Sequence, residues 1–321
     1  MTGCEPAVEK AIWQLPAATV PTQLCVPLVT VTFFEVAAGP RSSEPAVENT
    51  KRCVPAPRSI TRFEFRSTGT PIVLIPGLQG RWEWMKPALT ELAKRCRVMS
   101  YTLCGDFGSD MKFDPALGFD NFIKQLDQVF DRTGLERAAL CGVSYGGLIA
   151  LRYAALRPER VTSLVFVSAP APGWVPNDRQ QRYLAHPWRS TPAFVMSSPL
   201  RLWPEIKAAY DTTRERLAFS LRHGLRVMAA PVIPPRMATR VTMQQQLNFA
   251  PDCERIKAPT LIVTGEDGLD HVVPAEVTRR YRQLIPGATY VQIKRSGHIG
   301  LLTHPAQFAD IVTGFINGNG H

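Results

Sequence analysis

Ser144 stands in the pentapeptide Gly142-Val143-Ser144-Tyr145-Gly146, with a glycine two positions away on each side. A short apolar run, Ala138 to Cys141, leads into it and has the length of a buried strand. A helical pattern leads out of it, with Leu148, Leu151 and Ala155 at three- and four-residue spacing. A serine on a sharp turn between strand and helix has its hydroxyl lifted to the top of the sheet, and only small neighbours fit around so strained a turn. The amide of Tyr145, at the start of the helix, then points toward whatever that hydroxyl attacks. A serine hydroxyl is a weak nucleophile, so it needs a base to take its proton and an acid to orient the base. The pentapeptide alone also closes ordinary turns. Its meaning depends on the elements around it and on a histidine and a carboxylate arriving from elsewhere in the chain.

Those elements start at Pro71. Ile72 to Ile75 reads as a buried strand, Trp82 to Cys96 as a helix, and Arg97 to Leu103 as the next strand. Asn121 to Arg132 reads as a helix with Phe119, Phe122, Ile123, Leu126, Val129 and Phe130 along one face. Val161 to Ser168 is another buried strand. From about 172 to 250 there are helical pieces and no core strand. The rhythm then resumes with a strand at Leu261–Gly265, a helix at Ala275–Leu284, a strand at Thr289–Ile293 and a closing helix at Pro305–Ile316. Strands alternating with helices imply a mostly parallel sheet covered on both faces. Arg62 to Arg66 reads as a short edge strand. Residues 1–57 carry eight prolines and read as an extension outside the packed core, with Val26 to Glu35 as an alternative strand inside it.

Bulk properties narrow the class. The chain has 321 residues, 45% hydrophobic and 20% charged, enough to bury a sizeable core. Net charge is +10 with a pI near 9.5, which suits an anionic partner, an anionic substrate or simply a basic surface. The seven cysteines include no C-x-x-C, so neither a disulfide framework nor a zinc site is suggested, and reduced thiols in the cytoplasm are expected. Cys141 is expected to pack in a central strand. No apolar run approaches membrane-spanning length, and the N-terminal residues lack a signal-peptide core. No metal-ligand spacing or dinucleotide fingerprint occurs.

From Pro71 to Asn317 the chain resembles the α/β-hydrolase family, whose members place a nucleophile on such a strand–turn–helix. The resemblance implies a doubly wound, mostly parallel sheet with an inserted, mainly helical cap. The implied divisions are an extension at 1–57, a first core half at 58–171, the cap at 172–250 and a second core half at 251–321. It puts the base at His298, in the loop after the Thr289–Ile293 strand, with small neighbours at 296, 297 and 300 that let the imidazole approach the serine. The acid follows a D-x-x-V-P pattern. Read back from Val273-Pro274 this selects Asp270; read forward from Gly265 it favours Asp267 or Glu266. His271, beside Asp270, reads as a surface residue. The second oxyanion amide, beside that of Tyr145, falls to Leu78 in Pro76-Gly77-Leu78. Pro76 replaces the family's usual histidine and leaves the support of that loop open. Asp106, in Gly105-Asp106-Phe107-Gly108, reads as an arginine-binding or loop-capping residue.

The resemblance further implies acyl transfer from a small-molecule substrate to water, with no cofactor and no nucleic-acid partner. Acyltransferases and carbon–carbon bond hydrolases share this machinery, and a fold-retaining binding protein without turnover is a third reading. Serine at 144 argues against the relatives that use aspartate there. Between 172 and 250 eleven basic residues face four acidic ones, a net of +7. That density reads either as a solvated face or as arginines drawing an anionic substrate toward Ser144.

Overall fold

The computed structural model describes Arg62–Glu64 and residues 69–318. The expectations for residues 1–57, including a strand at Val26–Glu35, lie outside the described residues. Among the described residues seven strands make one sheet: β1 (Arg62–Glu64), β2 (Pro71–Ile75), β3 (Arg97–Tyr101), β4 (Ala138–Val143), β5 (Val161–Val167), β6 (Thr260–Thr264) and β7 (Thr289–Gln292). Their order is β1-β3-β2-β4-β5-β6-β7. β1 runs antiparallel on the edge, and the other six are parallel.

The strands are short continuous apolar runs because both faces are covered. Alternate residues go to opposite layers. Val73, Ile75, Leu140, Leu164, Phe166 and Ile262 join one core. Ile72, Leu74, Cys141, Val165, Val167, Leu261 and Val263 join the other. The first core is closed by α2 (Asp120–Thr133) and α3 (Tyr145–Leu156), and the second by α1 (Lys86–Leu92) and, near the C-terminus, a helix at Pro305–Gly318. Cys141 packs in the central strand, fully buried, as its setting led us to expect.

Two expected helices are divided. Trp82–Cys96 opens as a 3-10 turn at Trp82–Met85 before α1, because Pro87 has no amide to give and fits only the first turn of a helix. Ala275–Leu284 is split into two short helices at Arg280. The strand expected over Arg97–Leu103 stops at Tyr101.

Between β5 and β6 stand four longer helices: α4 (Asp178–Ala185), α5 (Pro187–Ala209), α6 (Thr213–Ala229) and α7 (Pro234–Gln246). A fifth, α8 (Ala250–Glu254), returns to the core, where Cys253 is buried. The remaining helices are α9 (Ala275–Arg279), α10 (Tyr281–Leu284), α11 (Gly300–Thr303) and α12 (Pro305–Gly318).

Register aligns the strand ends that matter. Ile75 pairs with Gly142, Val143 with Val167, Val167 with Val263, and Thr264 with Gln292. The loops that follow β2, β4, β6 and β7 therefore leave the sheet side by side at its C-terminal edge. That edge is where open α/β sheets bind ligands.

Candidate active site

Ser144 is the residue between β4 and α3, with φ 51° and ψ −123°. A positive φ is strained for a residue with a side chain and persists only where surroundings hold it. Here the Ser144 amide donates to the Val167 carbonyl at 2.8 Å, and its carbonyl accepts from the Gly147 amide at 2.8 Å. The flanking glycines are required by contact. A Cβ at Gly142 would lie 2.5 Å from the Gly146 carbonyl oxygen, and one at Gly146 would lie 2.6 Å from the Pro76 carbonyl oxygen. Tyr145 is the first residue of α3, so its amide is among those with no acceptor inside the helix.

The loop after β2 leans on this turn. A Cβ at Gly77 would meet the Ser144 Cβ at 3.3 Å. The next residue is Leu78, and the loop closes with the Gly80 amide donating to the Gly77 carbonyl at 2.9 Å. The support missing at Pro76 comes from α7. Arg240 donates through Nη1 to the Leu78 carbonyl at 2.8 Å and through Nη2 to Asp106 Oδ2. Both members of this ion pair are buried. Burial raises the Asp106 carboxyl above its ordinary range even though Arg240 pulls it back. Asp106 is thus an arginine-binding residue, and its partner lies 134 positions downstream.

His298 and Asp270 meet at 3.0 Å between Nδ1 and Oδ2. The other carboxylate oxygen, Oδ1, accepts from the Val272 and Val273 amides, each at 2.9 Å. Asp270 is buried with both oxygens bonded. Burial pushes the His298 imidazole toward its neutral form, but the Asp270 carboxylate, its hydrogen bond and the Glu205 charge outweigh it and raise the pKa above the usual histidine value. With Nδ1–H directed at the carboxylate, Nε2 is left as the proton-accepting nitrogen. Asp267 turns outward to Arg279 at 2.8 Å and is not joined to His298. The Glu266 amide donates to the Ser296 carbonyl, which pins the two loops together. His271 is exposed. The small residues around His298 also let two loops pack closely. A Cβ at Gly265 would come 2.5 Å from the Gly297 Cα, so the glycines let the histidine loop close on the loop that carries Asp270.

Sequence reasoning missed Glu205. It lies on α5 and is 1% exposed. Its two oxygens accept from the Ile299 amide at 2.9 and 3.1 Å, and a Cβ at Gly297 would lie 2.9 Å from Oε2. Burial drives its carboxyl up to about 7; the Gly297 and Ile299 amides and His298 oppose that shift, while Asp270 adds to it. In the sequence it was one of four acids in a basic segment. Its apolar neighbours Leu202 and Ile206 were the available signal that it turns inward. Among the described residues no group of three His, Cys, Asp or Glu side chains could hold a metal ion.

Two outcomes are expected from this geometry. Arg240→Met leaves Asp106 buried without its cation, and breaking a buried pair in this way costs about 3–5 kcal/mol, read as a lowered midpoint in urea unfolding. Glu205 makes stability depend on pH. Its carboxyl titrates near 4.5 when unfolded and about 7 when folded, so the native state holds the extra proton between those values. Stability contributed there is therefore lost as pH rises. The raised pKa of His298 adds a slope of the same sign above its ordinary value of 6.5. Glu205→Gln should flatten the pH dependence of unfolding between about pH 5 and about pH 7. An unchanged slope would show that the carboxyl titrates normally.

A family model described as alpha/beta hydrolase fold matches residues 70–305. A putative carbamate hydrolase RutD of Azorhizobium caulinodans is 26% identical over 262 residues, covering 79% of this chain and 93% of the relative. Its counterpart in Stutzerimonas stutzeri is 28% identical over 249 residues, covering 75% and 89%. Among solved structures, a bromoperoxidase from Bacillus anthracis superimposes with a TM-score of 0.59 at 25% identity, covering 80% of this chain and 94% of that one. A thermophilic esterase from Thermogutta terrifontis does so with a TM-score of 0.65 at 20% identity, covering 82% and 94%. With most of its length matched by the family model, the chain belongs to the alpha/beta hydrolase fold family, as an enzyme of that family.

Proposed function

We propose that the chain is a serine hydrolase that cleaves an ester-like or carbamate-like acyl bond of a small molecule through a covalent acyl-enzyme. Ser144 is the nucleophile, His298 the general base and Asp270 the acid that orients it. The observation that carries this reading is the His298–Asp270 contact at 3.0 Å, with Nε2 left basic, on the same sheet edge as a serine held at positive φ. His298 Nε2 takes the Ser144 proton as Oγ adds to the substrate carbonyl carbon. The carbonyl oxygen gains charge, and the amides of Leu78 and Tyr145 bind it. The imidazolium, stabilised by Asp270, returns that proton to the leaving oxygen or nitrogen as the bond breaks. Water then repeats the sequence, with His298 taking its proton, and frees the acid and Ser144.

The helices between β5 and β6 serve as the cap over this edge. Two of them reach the machinery: α7 through Arg240 at the Leu78 carbonyl and α5 through Glu205 at the Ile299 amide. The curated relatives point to carbamates as one substrate class, and esters share the same carbonyl chemistry.

A fluorophosphonate probe should label the wild type and not Ser144→Ala. On a panel of small esters and carbamates, Ser144→Ala and His298→Ala should each lower kcat by roughly three to six orders of magnitude. The double variant should be little worse, since the pair acts as a unit. Near-normal turnover in either single variant would end the proposal, and a wild type that neither labels nor turns over would favour a binding protein on this fold.

A further inference from the structure

The helices between β5 and β6 carry an apolar surface with no partner among the described residues. Among the described residues, twelve large apolar side chains stand more than a third exposed, and ten of them lie between Val175 and Met228. On α6, Leu217, Leu221, Leu225 and Met228 repeat at four, four and three residues, so they form one line along the helix. They are 57–79% exposed. This is not the face by which α6 is attached. The attached face carries Phe219 and His223, with His223 stacked on Phe219 at 5.8 Å and edge-on to Trp84 at 6.3 Å. A helix that packs on one side normally shows polar residues on the other. α5 repeats the anomaly with Trp188, Met196, Leu200 and Trp203 exposed, while Glu205 and Ile206 are buried.

The charges around this surface select its partner. On α4, α5 and α6 and the turns joining them, six basic side chains are exposed: Arg179 and Arg182 on α4, and Arg189, Lys207, Arg214 and Arg222 on α5 and α6. The exposed acids are Asp178, Asp211 and Glu215, and Asp211 is occupied by Arg295. Three arginines that reach inward are spoken for: Arg240 by Asp106, Arg216 by the Tyr210 and Asp211 carbonyls, Arg201 by Ser197 and Ser198; the buried Nη1 of Arg226 has no hydrogen-bond partner among the described residues. A second copy would bring the same basic helices against these, in a chain whose net charge is already +10. Leucines and tryptophans flanked by arginines match instead the boundary of an anionic bilayer, where the apolar side chains enter the acyl layer and the cations meet phosphate.

The backbone sets the depth. Pro192, Pro199 and Pro204 lie inside α5 and have no amide, so the carbonyls of Trp188, Val195 and Leu200 lack their helical donor. All three carbonyls belong to exposed residues, and without a helical donor they need water, which keeps the face at the hydrated headgroup level. No helix of the described residues is long and apolar enough to cross a membrane. We propose that α5 and α6 form a docking surface by which the enzyme lies on anionic phospholipid membranes.

The test is co-sedimentation of the full chain with phosphatidylcholine vesicles, with and without roughly a third phosphatidylglycerol. Binding is expected to the anionic vesicles, weakening as salt rises, and at least about tenfold weaker in Leu221→Glu/Leu225→Glu. Arg214→Gln/Arg222→Gln, at two exposed positions and therefore mild for the fold, should also weaken it, by roughly thirtyfold. Circular dichroism and melting confirm that each variant is folded. Absence of binding to anionic vesicles overturns the proposal. So does binding that both double variants retain, which would place the contact elsewhere in the chain. Light scattering covers the remaining occupant: a dimer that Leu221→Glu/Leu225→Glu dissolves, without vesicle binding by the wild type, would make the face a self-association surface and overturn the proposal as well.

Discussion

Burying a carboxylate is costly unless each of its oxygens is met, and this fold buries three of them at one edge of its sheet. Asp270 meets the requirement within its own loop and through His298. Its bonds to the Val272 and Val273 amides curl the chain after β6 so that the second oxygen faces the histidine. The turn and the pairing are thus one construction. Removing either amide would free the carboxylate to rotate, and the imidazole would lose the contact that selects its tautomer.

Glu205 meets the same requirement over a much longer distance in sequence, and Asp106 meets it at Oδ2 alone, its Oδ1 being buried with no hydrogen-bond partner among the described residues. Asp106, in the loop after β3, is bonded through Oδ2 by an arginine from α7, and Glu205, on α5, by an amide from the histidine loop. Each bond crosses between the core sheet and the helices inserted after β5. One contact supports the loop that carries Leu78, and the other supports the loop that carries His298. The inserted helices therefore help to shape the sheet edge as well as stand near it.

The strands were legible because burial on both faces makes them short apolar runs, as at Ile72–Ile75 and Leu261–Val263. The turn at Ser144 was legible because contact distances leave room only for Gly142 and Gly146. The inserted helices were not delimited, and α5 shows why. Three prolines within 23 residues predict breaks, yet the helix continues through them, its freed carbonyls tolerated where residues face outward. Nor could sequence reveal what Arg240 and Glu205 do. A charge in a basic segment looks solvated until tertiary structure brings its partner from 134 or 94 residues away. Among the acids near His298, the pattern ending in Val273-Pro274 pointed to Asp270. The geometry gives a reason independent of that pattern: the two residues after His271 supply the amides that hold it.

The ion pair between Asp106 and Arg240 also bears on modularity. Inserted segments in this family invite exchange, since both ends of the insertion connect to the same sheet edge. In this chain the exchange would not be free. A chimera that received foreign helices between β5 and β6 would keep Asp106 buried without the guanidinium that bonds it and leave the Leu78 carbonyl without its donor. It would also expose the amide of Ile299 where Glu205 had been. A transplant has to bring an arginine at the Arg240 position and an acceptor at the Glu205 position, as a plug must match its socket. Recombination between relatives would then succeed chiefly where parents share these two residues, whatever the similarity of the helices around them.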